Sequence, residues 1–272
     1  MIHLICALPC EARPLIDCHD LRHVPRADLC KCYAGKDGGM TLTVSGPGKI
    51  NAAAAVCYTQ TSFNSLPSDA WLNIGIAGHR ALAIGQPALA HRIEDAGSGL
   101  CWYPQFVFAP PCRTQGLRTL DRPSTDYEDV MIDMEAAGFY ATASRCGTAE
   151  LIHVLKVISD NAAHPAGKPD AGIISGLIQE QLPCINNIIE SLRALSAELA
   201  TIQQPLPAYS DCVARWHFTE YERNVLLRLL QRWQLLCPDR HPLADSSRIK
   251  KGKEMNQYLE QELNRLPISF SK

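Results

Sequence analysis

A charge excess of one sign is missing from this sequence: 26 Lys and Arg stand against 28 Asp and Glu in 272 residues, a formal net charge of -2. The composition therefore carries no general attraction to nucleic acid or to an anionic membrane, and a neutral small molecule is the better-matched partner. No apolar run is long enough to span a bilayer. The first residues, Met1-Ile2-His3-Leu4-Ile5-Cys6, enter a strand pattern without a basic leader, so a soluble protein in the cytoplasm is expected. The twelve cysteines are scattered between Cys6 and Cys237 with no Cys-x-x-Cys spacing. Cys30-Lys31-Cys32 would place two thiols on one strand face, two ligands short of a zinc site. The expectation is buried reduced thiols, no metal and no cofactor. Internal repeats and low-complexity tracts are absent.

Acids within apolar surroundings stand out instead. Asp133-Met134-Glu135-Ala136-Ala137 sets two carboxylates in an apolar run, where they are costly to bury without partners. Ala7-Leu8-Pro9-Cys10-Glu11 follows the first apolar run, and Val157-Ile158-Ser159-Asp160-Asn161-Ala162 ends a later one. Each acid also has a plain structural reading. Glu11 can be a helix N-terminal acid favoured by the dipole, Asp160 can cap a following helix, and Asp133 reads as structural.

Apolar strand-like runs at 1–6, 40–45, 71–76, 86–93, 130–134 and 152–158 alternate with helix-like segments at 48–60, 135–146 and 183–200. This order predicts an α/β sheet covered by helices on both faces, with a ligand at the strand ends. The stretch 97–128, rich in Pro, Gly and aromatics, reads as loop and short strand that walls a pocket or covers an edge. Ser45-Gly46-Pro47-Gly48-Lys49-Ile50-Asn51-Ala52-Ala53 and Asn73-Ile74-Gly75-Ile76-Ala77-Gly78 both place glycines after a strand. They suit backbone approach to a ligand and equally suit tight turns or close packing. Gln203-Gln204-Pro205-Leu206-Pro207 reads as a linker. Beyond it, Thr219-Glu220-Tyr221-Glu222 matches a capping box. Val225, Leu229, Trp233 and Leu236, widened by Leu226 and Leu230, form a stripe expected to dock on the main domain or a second subunit. The basic run Arg248–Lys253 reads as a solvated turn between helices.

Taken in order, Ala7–Glu11, Ser45–Ala54, Asn73–Gly78, Asp133–Ala137 and Ile158–Ala162 resemble the purine nucleoside phosphorylase and nucleosidase superfamily, the 5′-methylthioadenosine/S-adenosylhomocysteine nucleosidases in particular. The resemblance covers roughly 1–200, and the helical extension 201–272 lies outside it. It implies a three-layer α/β domain with a central mixed, partly barrel-like sheet, paired into a homodimer whose partner contributes to the active site. It implies a small-molecule nucleoside substrate and hydrolysis of the N-ribosidic bond to free base and a ribose derivative. Glu11 falls where such enzymes activate water, and Asp160 where they protonate the leaving purine. Glu135, with Met134, falls where they hold the ribose. Ala77, Gly78 and Ser159 complete the substrate-binding set.

The chemistry accounts for the acids: a cationic, oxocarbenium-like sugar needs an ionised base for water and a protonated acid for the leaving group. Two departures matter. Ile76 stands where relatives carry a small hydroxyl residue, and His79 replaces a common glycine. Phosphorylases also tend to carry an arginine where this chain has Asn73, which favours water as the nucleophile. Arg13 and Arg80 near the loops keep phosphorolysis as an alternative, and a catalytically quiet nucleoside-binding or scaffold protein is another. Tyr103, Phe106 and Phe108 are weak candidates for contacting a 5′ substituent.

Overall fold

The computed structural model describes residues 1–25, 29–167, 170–203, 206–244 and 246–266. The chain divides into two compact units, Met1–Thr201 and Ile202–Lys272. In chain order the first unit holds β1 (Ile2–Cys6), α1 (Pro9–Cys18), β2 (Arg22–His23), β3 (Lys31–Ala34), β4 (Met40–Val44), α2 (Lys49–Ser62), β5 (Ala70–His79), β6 (Pro87–Asp95), β7 (Cys101–Trp102), β8 (Arg113–Thr119), β9 (Met131–Asp133), α3 (Ala136–Ala143), β10 (Ile152–Asn161), α4 (Ala171–Glu180) and α5 (Leu182–Gln203).

All ten strands join one mixed sheet. β1, β4, β5 and β10 run parallel, and β5 is the hinge of the architecture. Its first residues pair with β1 on one edge, its far end pairs there with β9 through Gly78 and Ile132, and its other edge pairs along its length with β10. Because β10 also pairs with β6, β6 with β8 and β8 with β9, the five strands close on themselves as a small barrel. β1, β4, β3 and β2 continue the sheet outward from β5.

Side-chain alternation along these strands separates two apolar cores. Leu4, Leu42, Leu72 and Ile74 face Leu15, Ile178, Ile185 and Ile189 of α1, α4 and α5. Ile5, Trp71 and Val154 face Ala52, Val56, Phe139 and Tyr140 of α2 and α3. The three-layer α/β arrangement follows.

The strand runs expected at 1–6, 40–45, 86–93 and 130–134 lie on β1, β4, β6 and β9, and the helices at 48–60, 135–146 and 183–200 on α2, α3 and α5. β5 and β10 each continue three residues past the expected ends at 76 and 158, carrying Ala77, Gly78, Ser159 and Asp160 into the sheet. The stretch 97–128 contains the full barrel strand β8 as well as loop.

The second unit holds α6 (Pro207–Arg215), α7 (Glu220–Leu236) and α8 (Gly252–Arg265). The capping box at α7 is formed, with Thr219 Oγ1 accepting the Glu222 amide at 3.3 Å and the Glu222 carboxylate accepting the Thr219 amide at 2.8 Å. Leu226, Leu229, Leu230 and Trp233 are buried with Cys212, Trp216, Met255, Leu259 and Leu263, so helices of this same unit cover the stripe. That corrects the expected docking partner: α7 lays its stripe against α6 and α8. Leu236, expected on the stripe, is exposed. Gln204 and Pro205 of the expected linker lie outside the described residues. Of the basic run, Lys250 and Lys251 sit in the turn before α8, while Arg248 ends a 3-10 turn and Gly252 and Lys253 open α8 itself.

Three cysteines, Cys6, Cys32 and Cys212, are buried, the other nine are half-buried or exposed, and all twelve are free. The expectation of buried thiols therefore holds for only these three. No helix among the described residues is long and apolar enough to cross a membrane.

Candidate active site

A cavity of about 230 Å³ opens beyond the C-terminal ends of β1, β4, β5 and β10, where the parallel strands stop and their connections diverge. Ala7 and Leu8 reach it from the β1–α1 turn, Glu11 from the first turn of α1 and Pro47 from the β4–α2 turn. Ile76, Ala77 and Gly78 come from β5, Asp133, Met134 and Glu135 from the end of β9, and Ser159 and Asp160 from β10. All seven residues expected from sequence to act or bind there line this one cavity.

Glu11 sits in the first turn of α1 and is buried. Its Oε2 accepts the amides of Ala7 at 3.0 Å and Leu8 at 2.8 Å, and its Oε1 accepts the Ile76 amide at 3.0 Å. It therefore does serve its own helix terminus, but the third bond ties it to β5. Gly75 makes that approach possible, since a Cβ there would lie 2.9 Å from Oε1. Burial raises the proton affinity of Glu11, opposed by the charge of Lys156 and by the amides of Leu8 and Ile76. The result is a carboxylate surrounded by donors whose basicity is above that of a solvated glutamate. Ile76 contributes through its amide, so the loss of a hydroxyl side chain leaves this bond intact.

Behind the cavity wall lies Lys156, fully buried on β10. Its Nζ is 2.9 Å from Asp133 Oδ2 and 4.0 Å from Glu135 Oε2. Burial pulls its affinity for a proton down, but Asp133, Glu135 and Glu11 together raise it, so it remains the cation that compensates three acids. Sequence reading missed it. A lysine inside Leu155-Lys156-Val157 looks like a surface-facing strand position, and only the acids converging from the start of α1 and the end of β9 show its role. Asp133 is held by Thr119 Oγ1 at 2.7 Å and by the amides of Glu135 at 3.2 Å and Ala136 at 2.8 Å, which makes it the structural acid at the start of α3. Glu135 Oε1 accepts the Gly48 amide at 2.8 Å, so the glycine turn before α2 gives its N–H to a side chain. Burial raises Glu135, with Lys156 opposing.

Asp160 is half-buried at the end of β10. It caps no helix, since α4 is capped by Asp170. Its Oδ2 accepts the Tyr127 hydroxyl at 2.7 Å, and its Oδ1 lies 2.5 Å from Ser159 Oγ. Arg122, Pro123 and Ser124 from the β8–β9 loop, with Ala166, form the adjoining wall.

Several candidates lie elsewhere. Arg13 pairs with Asp17 and Arg80 with Asp129, both exposed and neither on the cavity wall. Phe106 and Phe108 pack on buried His153 with ring centroids 5.1 and 5.2 Å away, and Tyr103 is exposed. None of these three lines the cavity, and the two phenylalanines pack against the first apolar core instead. Asn73 uses its Nδ2 to donate to the Ile5 carbonyl at 3.0 Å, a bond across the sheet. His79 Nδ1 accepts the amides of Ala81 and Leu82, both at 3.1 Å, which explains a histidine where the chain turns out of β5.

The five-strand barrel, extended by β1, β4, β3 and β2 and layered between helices, is a fold that the chain shares with solved nucleosidase structures. Among solved structures, the chain is similar to the Helicobacter pylori 5′-methylthioadenosine/S-adenosylhomocysteine nucleosidase bound to butyl-thio-DADMe-Immucillin-A, at 13% identity and a TM-score of 0.57 over 70% of this chain and 97% of that one. It is similar to the Colwellia psychrerythraea nucleosidase in complex with adenine, at 19% identity and 0.52 over 71% and 93%. It is also similar to the Helicobacter pylori futalosine hydrolase, at 12% identity and 0.55 over 70% and 97%. No protein-family model and no curated protein matches the chain.

Proposed function

We propose that the chain is a purine nucleosidase that hydrolyses the N-ribosidic bond of an adenine-type nucleoside. One observation carries the reading. Glu11 is bonded to β5 at Ile76 and Asp160 lies against β5 at Gly78, so two carboxyls of different surroundings are held against positions two residues apart, about 7 Å, on one strand and face one cavity. The cavity that both carboxyls face, about 230 Å³, is the space for the sugar and the attacking water.

In this reading Glu11 takes a proton from water as the water attacks C1′. Asp160 gives a proton to the departing purine. Glu135 accepts the ribose hydroxyls and adds negative charge near the cationic sugar. Met134, Ala77 and Ser159 shape the walls, and Gly78 leaves space beside Asp160. The solved nucleosidases with adenine and with a nucleoside analogue bound support the same substrate class. Phosphorolysis is the second reading, favoured by Arg122 on the cavity wall.

The test is a panel of adenosine, 5′-methylthioadenosine, S-adenosylhomocysteine and inosine, incubated with and without phosphate and followed by chromatography of base and sugar. Free adenine with free sugar in the absence of phosphate is expected. Strict dependence on phosphate, with a ribose 1-phosphate as product, overturns hydrolysis. A homodimer belongs to the same proposal, checked by sedimentation.

A further inference from the structure

Tyr127 stands in the loop between β8 and β9 and has no part in the reading above. Its hydroxyl accepts the Ala166 amide at 2.7 Å and donates its single hydrogen to Asp160 Oδ2 at 2.7 Å. An amide can only donate, so Oδ2 is the one acceptor among the hydroxyl's hydrogen-bond partners, and the phenol's hydrogen goes to it. The other oxygen, Oδ1, faces Ser159 Oγ at 2.5 Å, and that hydroxyl also has the Ala77 carbonyl at 3.5 Å. A serine hydroxyl free to turn between two partners can accept from Oδ1 or donate to it. The tyrosine has no such choice.

The arrangement is built in from several sides. A Cβ on Gly78 would lie 2.8 Å from both Asp160 Oδ2 and Tyr127 Cε1, so the pair exists only because this position is glycine. Arg80 Nε donates to the Tyr127 carbonyl at 3.2 Å, the Arg80 amide to the Glu128 carbonyl at 3.0 Å, and the Ala162 amide to the Arg80 carbonyl at 3.2 Å. The loop is thereby stitched to the ends of β5 and β10.

Resting on the nucleosidase reading, we propose that Tyr127 is the positioning residue for Asp160: it keeps Oδ2 a permanent acceptor, so that the proton for the leaving purine is carried on Oδ1 beside Ser159. In the step, the Oδ1–H bond breaks and an N–H bond forms on the purine ring. The electron pair of the C1′–N bond passes to the base, and water bonds to C1′ while its proton goes to Glu11. Asp160 is left as a carboxylate. The Tyr127 hydrogen bond then meets a full negative charge, and Ser159 turns from Ala77 to donate to Oδ1. Both bonds are stronger after proton transfer than before it, which is the condition for speeding the step. Burial and the neighbouring Asp160 raise the phenol's own affinity for its proton, so it remains a donor through the neutral range. The other charged groups on these walls are Arg122 beside Asp160, Glu135, Asp133 and Glu11 deeper in the cavity with Lys156 behind them, and the Arg80–Asp129 pair outside Tyr127.

The experiment compares Tyr127→Phe, Asp160→Asn and the double variant with the full-length wild-type protein, measuring kcat and KM for 5′-methylthioadenosine from pH 5 to 9. Tyr127→Phe is expected to lower kcat by about 10- to 100-fold, the size of one hydrogen bond to a charged group, with KM nearly unchanged. The phenol bonds the ionised form best, so its loss should move the alkaline limb of log kcat to higher pH. In the Asp160→Asn background the same change should cost nothing further. Gly78→Ala, which forces the pair apart, should reproduce the loss if Tyr127→Phe is poorly folded by circular dichroism. Additive losses in the double variant, or an unmoved limb with unchanged kcat, overturn the inference while leaving the nucleosidase reading in place. A wild-type protein that releases no base from any purine nucleoside overturns that reading, and the inference with it.

Discussion

The two carboxyls on either side of β5 differ in what surrounds them, and the difference predicts separable phenotypes. Asp160→Asn keeps shape and hydrogen bonding but has no acidic proton, so it should retain binding and lose about 10²- to 10⁴-fold in rate. A nucleoside whose leaving group needs no protonation should recover rate in this variant. Glu11→Gln should show no such recovery, because its water stays unactivated. Equal recovery in both, read by steady-state kinetics, would show the roles to be misassigned. Lys156 predicts a stability effect instead: with Asp133 at 2.9 Å and two more acids nearby, Lys156→Met leaves uncompensated buried charge. A loss of about 3–5 kcal/mol in urea unfolding is expected, and an unchanged midpoint would show that the acids find other partners. The acids could be picked out of the sequence because carboxylates in apolar runs are conspicuous. Lys156 and Tyr127 could not, since one lies in a strand pattern that admits lysine on its outer face and the other in a loop whose path only tertiary contacts define.

Strands and helices were legible where a single apolar rhythm dominated, as in β1, β4 and α2. β8, Arg113-Thr-Gln-Gly-Leu-Arg-Thr, hides its place in the barrel because a closed barrel supplies strand neighbours on both edges and needs little apolar sequence of its own. α1 showed in the sequence only as a helix start at Glu11, since Pro9 suits an opening turn while Pro14 interrupts a helix interior. β10 carries a pH-dependent element of stability. His153 is fully buried, and burial, opposed by a bond to the Glu150 carbonyl, lowers its pKa to about 4. The unfolded chain takes up this proton near pH 6.5 and the folded chain only near 4, so the stability due to neutral His153 is present above about 6.5 and is lost as pH falls towards 4. The amount is on the order of 3 kcal/mol. Glu11 and Glu135, raised by burial, act in the opposite sense on acidification. The histidine contribution is therefore read from wild type minus His153→Leu in urea unfolding at pH 7, 6, 5 and 4. A difference that does not change over that range would contradict the assignment.

At the level of the complete chain, Met1–Thr201 holds two apolar cores and Ile202–Lys272 a third, where the sequence offered a composition change at Gln203–Pro207 and a helical stripe beyond it. What lies beyond that point was legible as helix but not as a self-covered unit, because an amphipathic stripe reveals that it is covered and not by what. Trp233, buried and donating its indole N–H to the Arg240 carbonyl at 2.7 Å, is the anchor of the second core. Trp233→Ala should cost about 3–5 kcal/mol there. Calorimetry should show the loss, while kcat for nucleoside cleavage stays at the wild-type value, since every cavity residue belongs to the first unit. A fall in kcat at temperatures where the variant remains folded would contradict that separation.

The pairing of β5 with β10 also sets an order in time. During synthesis β5 is complete at His79, while the strand that must lie along it begins only at Ile152. Until then Glu11, Asp133 and Glu135 have emerged as like charges with no cation among them, and the barrel has a gap. β10 brings the missing strand, the compensating Lys156 and the acid Asp160 together. A nascent chain halted before this strand lacks Asp160 and the cation for its remaining acids, so closure of the barrel and assembly of the cavity are one late event.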